Sequence, residues 1–109
     1  MIAREISVDD LSLRLERGER PLLVDVRQPW EHELARLPGS LLVPLDELAS
    51  RTAEVRPAPG QLVVCYCHHG VRSLRAAEVL SGAGLAAVVS LAGGIDAWAE
   101  RIDPSVPRY

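Results

Sequence analysis

LVVCYCHHGVRSLRAAEVL, residues 62–80, joins two different periodicities at one cysteine. Leu62-Val63-Val64-Cys65-Tyr66 is an unbroken apolar run of strand length, as a strand buried on both faces would have. Leu74-Arg75-Ala76-Ala77-Glu78-Val79-Leu80 has apolar residues at helical spacing. It predicts an amphipathic helix from about Ser73 to Ala83, stopped by Gly84. Between them lies the short loop Cys67-His68-His69-Gly70-Val71-Arg72-Ser73. A strand therefore delivers a cysteine to the start of a helix. Backbone N–H groups point into such a loop, and the helix dipole adds partial positive charge. Arg72 adds a permanent cation close by. These groups stabilise an anionic sulfur, and the thiolate is the nucleophilic form of cysteine. The arrangement suits a cysteine that attacks an electron-poor or anionic atom and carries it as a covalent adduct.

Working outward, Leu22-Leu23-Val24-Asp25-Val26 predicts a second buried strand, and Ser40–Val43 and Ala86–Leu91 two more. Arg4-Glu5-Ile6 is a short first strand. Ser7 caps a helix over Val8–Arg17, with Asp10 three residues on. Pro29 fits the first position of a short helix, Pro29–Leu34. Leu45–Ala49 and Ile95–Arg101 complete the helices, the last one following Gly93-Gly94. Alternating strands and helices, with several strands apolar throughout, define an α/β protein whose parallel sheet is covered on both faces. Ligands of such sheets bind beyond the carboxyl ends of the strands. Cys67, Asp25–Arg27 and Ala92-Gly93 all follow strand ends, so their loops are expected to line one crevice.

The 109 residues suffice for one domain, expected over 1–103, followed by a C-terminal tail over 104–109. That tail is too proline-rich for regular structure and either wraps the surface or extends from it. A net charge of −3 gives no nucleic-acid footprint. All 12 basic residues are arginine, and Lys, Asn and Phe are absent, which we read as compositional bias. No apolar run approaches the roughly 20 residues of a membrane helix. Met1-Ile2-Ala3-Arg4-Glu5 lacks the apolar stretch of an export leader, so the expected location is cytoplasmic and the two cysteines are expected as thiols.

Cys67-x-x-Gly70-x-Arg72-Ser73 resembles the active loop of the rhodanese-like sulfurtransferases. So does Asp25-Val26-Arg27 with Glu31 soon after. Pro38-Gly39-Ser40 before Leu41-Leu42-Val43-Pro44, and Gly93-Gly94-Ile95-Asp96-Ala97-Trp98, are similar to two further segments of that family. The matches span roughly residues 22 to 98 in the family's order. The resemblance implies a single three-layer domain with a five-stranded, mainly parallel sheet flanked by helices on both faces. It also implies Cys67 as the catalytic residue that carries persulfide sulfur. Where the family often has Gly-His-Ile, this chain has Ala35-Arg36-Leu37, so no family role carries over to position 36.

Four residues separate Cys67 from Arg72. Cysteine-dependent phosphatases of this fold resemble a Cys-x5-Arg loop, because a phosphate group needs a wider ring of amides than one outer sulfur does. The shorter loop favours sulfur transfer over phosphate chemistry. His68, His69, Gly70, Val71, Arg72 and Ser73 are the expected substrate-binding residues, with Asp25 and Arg27 supporting. Asp25 is expected to accept from loop amides, Arg27 and Glu31 to form an ion pair, and His32 to be an exposed helix residue. Cys65 reads as a small buried hydrophobe. Cys65, Cys67, His68 and His69 match no structural zinc spacing, so no metal or other cofactor is expected. The expected partners are a small-molecule sulfur donor and a thiol or protein acceptor, with no nucleic acid and no membrane. A persulfide carrier serving one protein partner is the alternative function.

Overall fold

Five short strands among the described residues, all running the same way, place the site. The computed structural model describes residues 4–109. Residues 1–3, counted in the expected domain and read above for a leader, lie outside the described residues. In chain order the elements are β1 (Arg4–Ile6), α1 (Val8–Glu16), β2 (Leu22–Asp25), α2 (Pro29–Leu34), β3 (Leu41–Leu42) and α3 (Leu45–Leu48). A 3-10 turn at Thr52–Glu54 follows, then β4 (Val63–Tyr66), α4 (Val71–Gly82), β5 (Val88–Leu91) and α5 (Gly94–Arg101). The sheet order is β1-β5-β4-β2-β3, and every pairing is parallel.

The elements match the expected ones in number and order; their ends differ for local reasons. The β3 strand covers two residues instead of four. Val43 still donates to the Asp25 carbonyl (2.9 Å), but Pro44 has no N–H with which to continue the ladder. The α4 helix begins at Val71, two residues before the expected start. Gly70 takes a left-handed conformation (φ 100°), which glycine adopts at no steric cost, and this closes the loop early.

Successive strand residues face opposite sides of the sheet. Leu23, Val64, Tyr66, Val89 and Leu91 join one apolar cluster with Leu11 of α1 and Ile95 and Trp98 of α5. Val24, Val63, Cys65 and Val88 join the other, with Leu48 of α3 and Ala76, Ala77 and Leu80 of α4. The small Ala76-Ala77 pair lets α4 lie close against the sheet. Register pairs Val24 with Cys65 and Asp25 with Tyr66 across β2 and β4. From β2 the chain moves outward to β3, whereas β4 returns on the other side of β2 and β5 continues away. The reversal falls between β2 and β4, where sheets of this kind open a crevice at their carboxyl ends. The loops carrying Asp25–Arg27 and Cys67 leave the sheet there.

Candidate active site

Cys67 follows β4 directly, and its loop curls around its own sulfur. Sγ accepts N–H groups from Gly70 (3.1 Å) and Ser73 (3.3 Å), and the Ser73 hydroxyl lies 3.4 Å away. The Ser73 hydroxyl also bonds the buried Ser90 hydroxyl of β5 at 2.7 Å. Cys67 is only 1% exposed. The first turn of α5 holds the loop from the other side. Ile95 N–H donates to the Cys67 carbonyl (2.9 Å) and Asp96 N–H to the His68 carbonyl (3.1 Å). A side chain at Gly94 would run into both carbonyls, so the Gly93-Gly94 pair is there to let two backbones touch. Two helix starts therefore face one seven-residue loop, α4 through its amides to sulfur and α5 through its amides to carbonyls.

The charged residues pair differently from the expectation. Arg27 does not pair with Glu31. It turns back to Asp25, donating from Nε (2.9 Å) and Nη2 (2.7 Å) and from its own backbone N–H (3.0 Å). Both side chains are fully buried. The α2 helix instead aims Glu31 across the crevice at Arg72, which donates from Nη1 (2.7 Å) and Nη2 (2.9 Å). Burial alone would push the Glu31 carboxyl up; Arg72, the Tyr109 hydroxyl and the Gln28 N–H hold it down at about 2. Hydrogen bonds to the Glu31 carboxylate accordingly raise the Arg72 guanidinium above its ordinary value. His32 is half-buried, not free: its Nδ1 lies 2.8 Å from Asp25 Oδ2. Asp25 also accepts from the buried Tyr66 hydroxyl (3.2 Å), which burial and the Asp25 charge push up to about 12.

An aromatic row crosses the mouth of the loop. The His68 and His69 rings stack at 3.9 Å, and Tyr109 stacks on His68 at 3.9 Å. Trp30 meets Tyr109 edge-on at 5.9 Å. Burial and the neighbouring His69 lower the His68 imidazole below its ordinary value. His68, His69 and Asp96 each bring one potential ligand atom within 4.8 Å of the others. Yet Arg108 already engages both Asp96 oxygens (3.0 and 3.2 Å). That pairing occupies the carboxylate such a cluster would draw on.

Cys65 lies inside the core cluster under α4, and burial pushes its thiol up to about 12. It has no part in the loop. Cys67, Gly70 and Ser73 meet at the sulfur, Arg72 ties the loop to Glu31, and Asp25 pairs with Arg27 at the end of β2, whereas Val71 is exposed. Three members escaped the sequence reading: Ser90, Tyr66 and Tyr109. No spacing signals them: Ser90 and Tyr109 come from distant parts of the chain, and Tyr66, although it adjoins Cys67, bonds Asp25 41 residues away.

Matches to known proteins agree with this geometry. The rhodanese-like domain family matches residues 7–101, most of the chain. This chain belongs to the rhodanese-like domain family. A sulfurtransferase of Allochromatium vinosum is 37% identical over 105 residues, covering 96% of either chain. The adenylyltransferase and sulfurtransferase MOCS3 of Aedes aegypti is 38% identical over 112 residues, 95% of this chain and 26% of that protein. A solved rhodanese-related protein from Thermoplasma volcanium superposes with a TM-score of 0.81 at 30% identity, covering 97% of this chain and 99% of that one. Several longer relatives hold the rhodanese-like stretch as one part: this chain spans 37% of one and 24% of another. The rhodanese-like domain here is a member of a sulfurtransferase family, and no helix among the described residues is long and apolar enough to cross a membrane.

Proposed function

We propose that this rhodanese-like domain moves sulfane sulfur from a donor to an acceptor through a persulfide on Cys67. The observation that carries the reading is the pair of N–H groups, from Gly70 and Ser73, aimed at the Cys67 sulfur at the start of α4. They stabilise a thiolate before attack, and the loop amides are placed to hold an added sulfur after it. With thiosulfate, the thiolate attacks the outer sulfur, the sulfur–sulfur bond breaks, and sulfite leaves with the bonding pair. Cyanide or an acceptor thiolate then attacks the outer sulfur of the persulfide. Thiocyanate or a new persulfide departs, and the Cys67 thiolate is restored. This is covalent catalysis in two half-reactions. Residues 68–73 form the donor cradle. Asp25 and Arg27 fix the end of β2 beside it. Arg72 is already held by Glu31, so it shapes the cradle more than it offers a free charge.

A persulfide carrier is the second reading, favoured by one observation. A relative whose name joins an adenylyltransferase to a sulfurtransferase contains a stretch like this chain as 26% of its length. In that reading the acceptor is a specific protein thiol. A cytoplasmic setting fits both readings, since Cys65 and Cys67 are both free and thiols persist in reducing compartments.

Intact mass after incubation with thiosulfate tests the proposal. We expect a gain of one sulfur, removed by cyanide with release of thiocyanate. Cys67→Ser should show no gain while keeping its fold by circular dichroism. Sulfur loading in Cys67→Ser, or none in the unmodified protein from thiosulfate and from an alkyl persulfide alike, would defeat the reading.

A further inference from the structure

The segment after α5 turns back across the mouth of the cysteine loop. Asp103 N–H donates to the Trp98 carbonyl (2.9 Å), and Val106 N–H donates to the Asp103 carbonyl (3.1 Å). Val106 packs on the core, and Arg108 clasps Asp96 in the first turn of α5. These contacts deliver Tyr109 to a defined seat. Its ring lies flat on His68, with an interplanar angle of 6°, and meets the edge of Trp30. Its hydroxyl accepts from Arg27 Nη1 and donates to Glu31 Oε2, both at 2.7 Å. The phenol is pushed up to about 12, chiefly by burial, so it keeps the proton it donates.

Apart from Trp30, every group in this seat belongs to the cysteine loop or braces it. His68 follows Cys67, Glu31 holds Arg72, and Arg27 anchors the end of β2. Both polar partners also have a charged partner of their own, Asp25 for Arg27 and Arg72 for Glu31. Tyr109 can therefore leave without exposing an unpaired buried charge, so its departure is reversible. Cys67 itself is almost wholly covered, and Tyr109 lies against its chain neighbour His68.

We propose that Tyr109 is a specificity-determining residue of the sulfur-transfer site. Seated, it admits compact acceptors to Cys67 and holds off bulky thiols, which reach the sulfur only after the ring swings out. The inference rests on the sulfur-transfer reading and adds to it a filter by acceptor size.

Protein loaded by thiosulfate is mixed with cyanide or with a cysteine-containing peptide, and the rate of sulfur removal is compared. Tyr109→Ala should raise the peptide-to-cyanide rate ratio about tenfold, with Tyr109→Phe in between because it keeps the ring and loses both hydrogen bonds. Alkylation of Cys67 on unloaded protein, by iodoacetamide against a bulky maleimide, should shift the same way. Ratios that stay at the wild-type value in Tyr109→Ala overturn the proposal. A protein that gains no sulfur would sink the sulfur-transfer reading. The alkylation ratio would then decide by itself whether Tyr109 filters by size.

Discussion

Two cysteines, two residues apart on one side of a strand, differ because of where the strand stops. Cys65 is still inside β4, sealed in the core, and burial favours its neutral thiol. Cys67 is one residue beyond the strand, where N–H groups become available to its sulfur. Cys65→Ser should keep most of the sulfur-transfer activity and cost about 1–3 kcal/mol in denaturant unfolding, since a hydroxyl would be buried among apolar groups. Activity as low as in Cys67→Ser would instead indicate two working thiols. Glu31 makes a second residue-scale prediction. Its carboxyl is held at about 2, below an ordinary value of 4.5. A depressed acid contributes stability that is fully present above its unfolded pKa and lost as pH falls through the folded one. The loss should therefore run between about pH 5 and pH 2 and amount to on the order of 2–3 kcal/mol. Glu31→Gln should flatten that part of the stability-against-pH curve; an unchanged curve would contradict the Glu31–Arg72 pairing.

At the scale of elements, the site depends on how α5 meets the loop after β4. Gly94 has φ 62°, and any side chain there would meet the Cys67 and His68 carbonyls. Those carbonyls are the acceptors for Ile95 and Asp96. Gly94→Ala should push α5 off the loop and destabilise the protein by several kcal/mol, on the order of 2–4. It should also depress sulfur loading of whatever protein remains folded. Gly84→Ala is a useful contrast, because that glycine also has positive φ (103°) but no atom within 4 Å of an added Cβ. It should show conformational strain alone, about 1 kcal/mol, and load normally. Equal losses in the two variants would mean that the close approach at Gly94 contributes nothing.

For the whole molecule, the sulfur-transfer proposal is tested by the span between one cysteine and one arginine within a fixed frame. Gly70 closes the loop with a left-handed turn, and α4 begins at the next residue, so the ring of amides is small. We expect thiosulfate-to-cyanide sulfur transfer from the unmodified protein and negligible hydrolysis of an aryl phosphate. Inserting one residue between His69 and Gly70 should weaken sulfur transfer by widening that ring. Phosphate hydrolysis by the unmodified protein that vanishes in Cys67→Ser would reverse the assignment.

The order of strands and helices, the cysteine at a strand end and the glycine pair before α5 were all legible in the sequence. Each is a local property: an apolar run, a period, a residue that alone tolerates a given φ. The resemblance in residues 67–73 and 93–98 named the family from the same local information. Pairing was not legible. Arg27 and Glu31 sit four apart, yet α2 turns one toward Arg72 and leaves the other on Asp25. His32, expected to be exposed, finds Asp25 across a turn. Ser90 and Tyr109 reach the site only because β5 lies beside β4 and the chain after α5 folds back. Sequence determined what each segment could become, since torsional preference and burial act over a few residues. The tertiary structure alone decided which charges meet and which rings stack at the mouth of the cysteine loop, because those contacts join residues far apart in the chain.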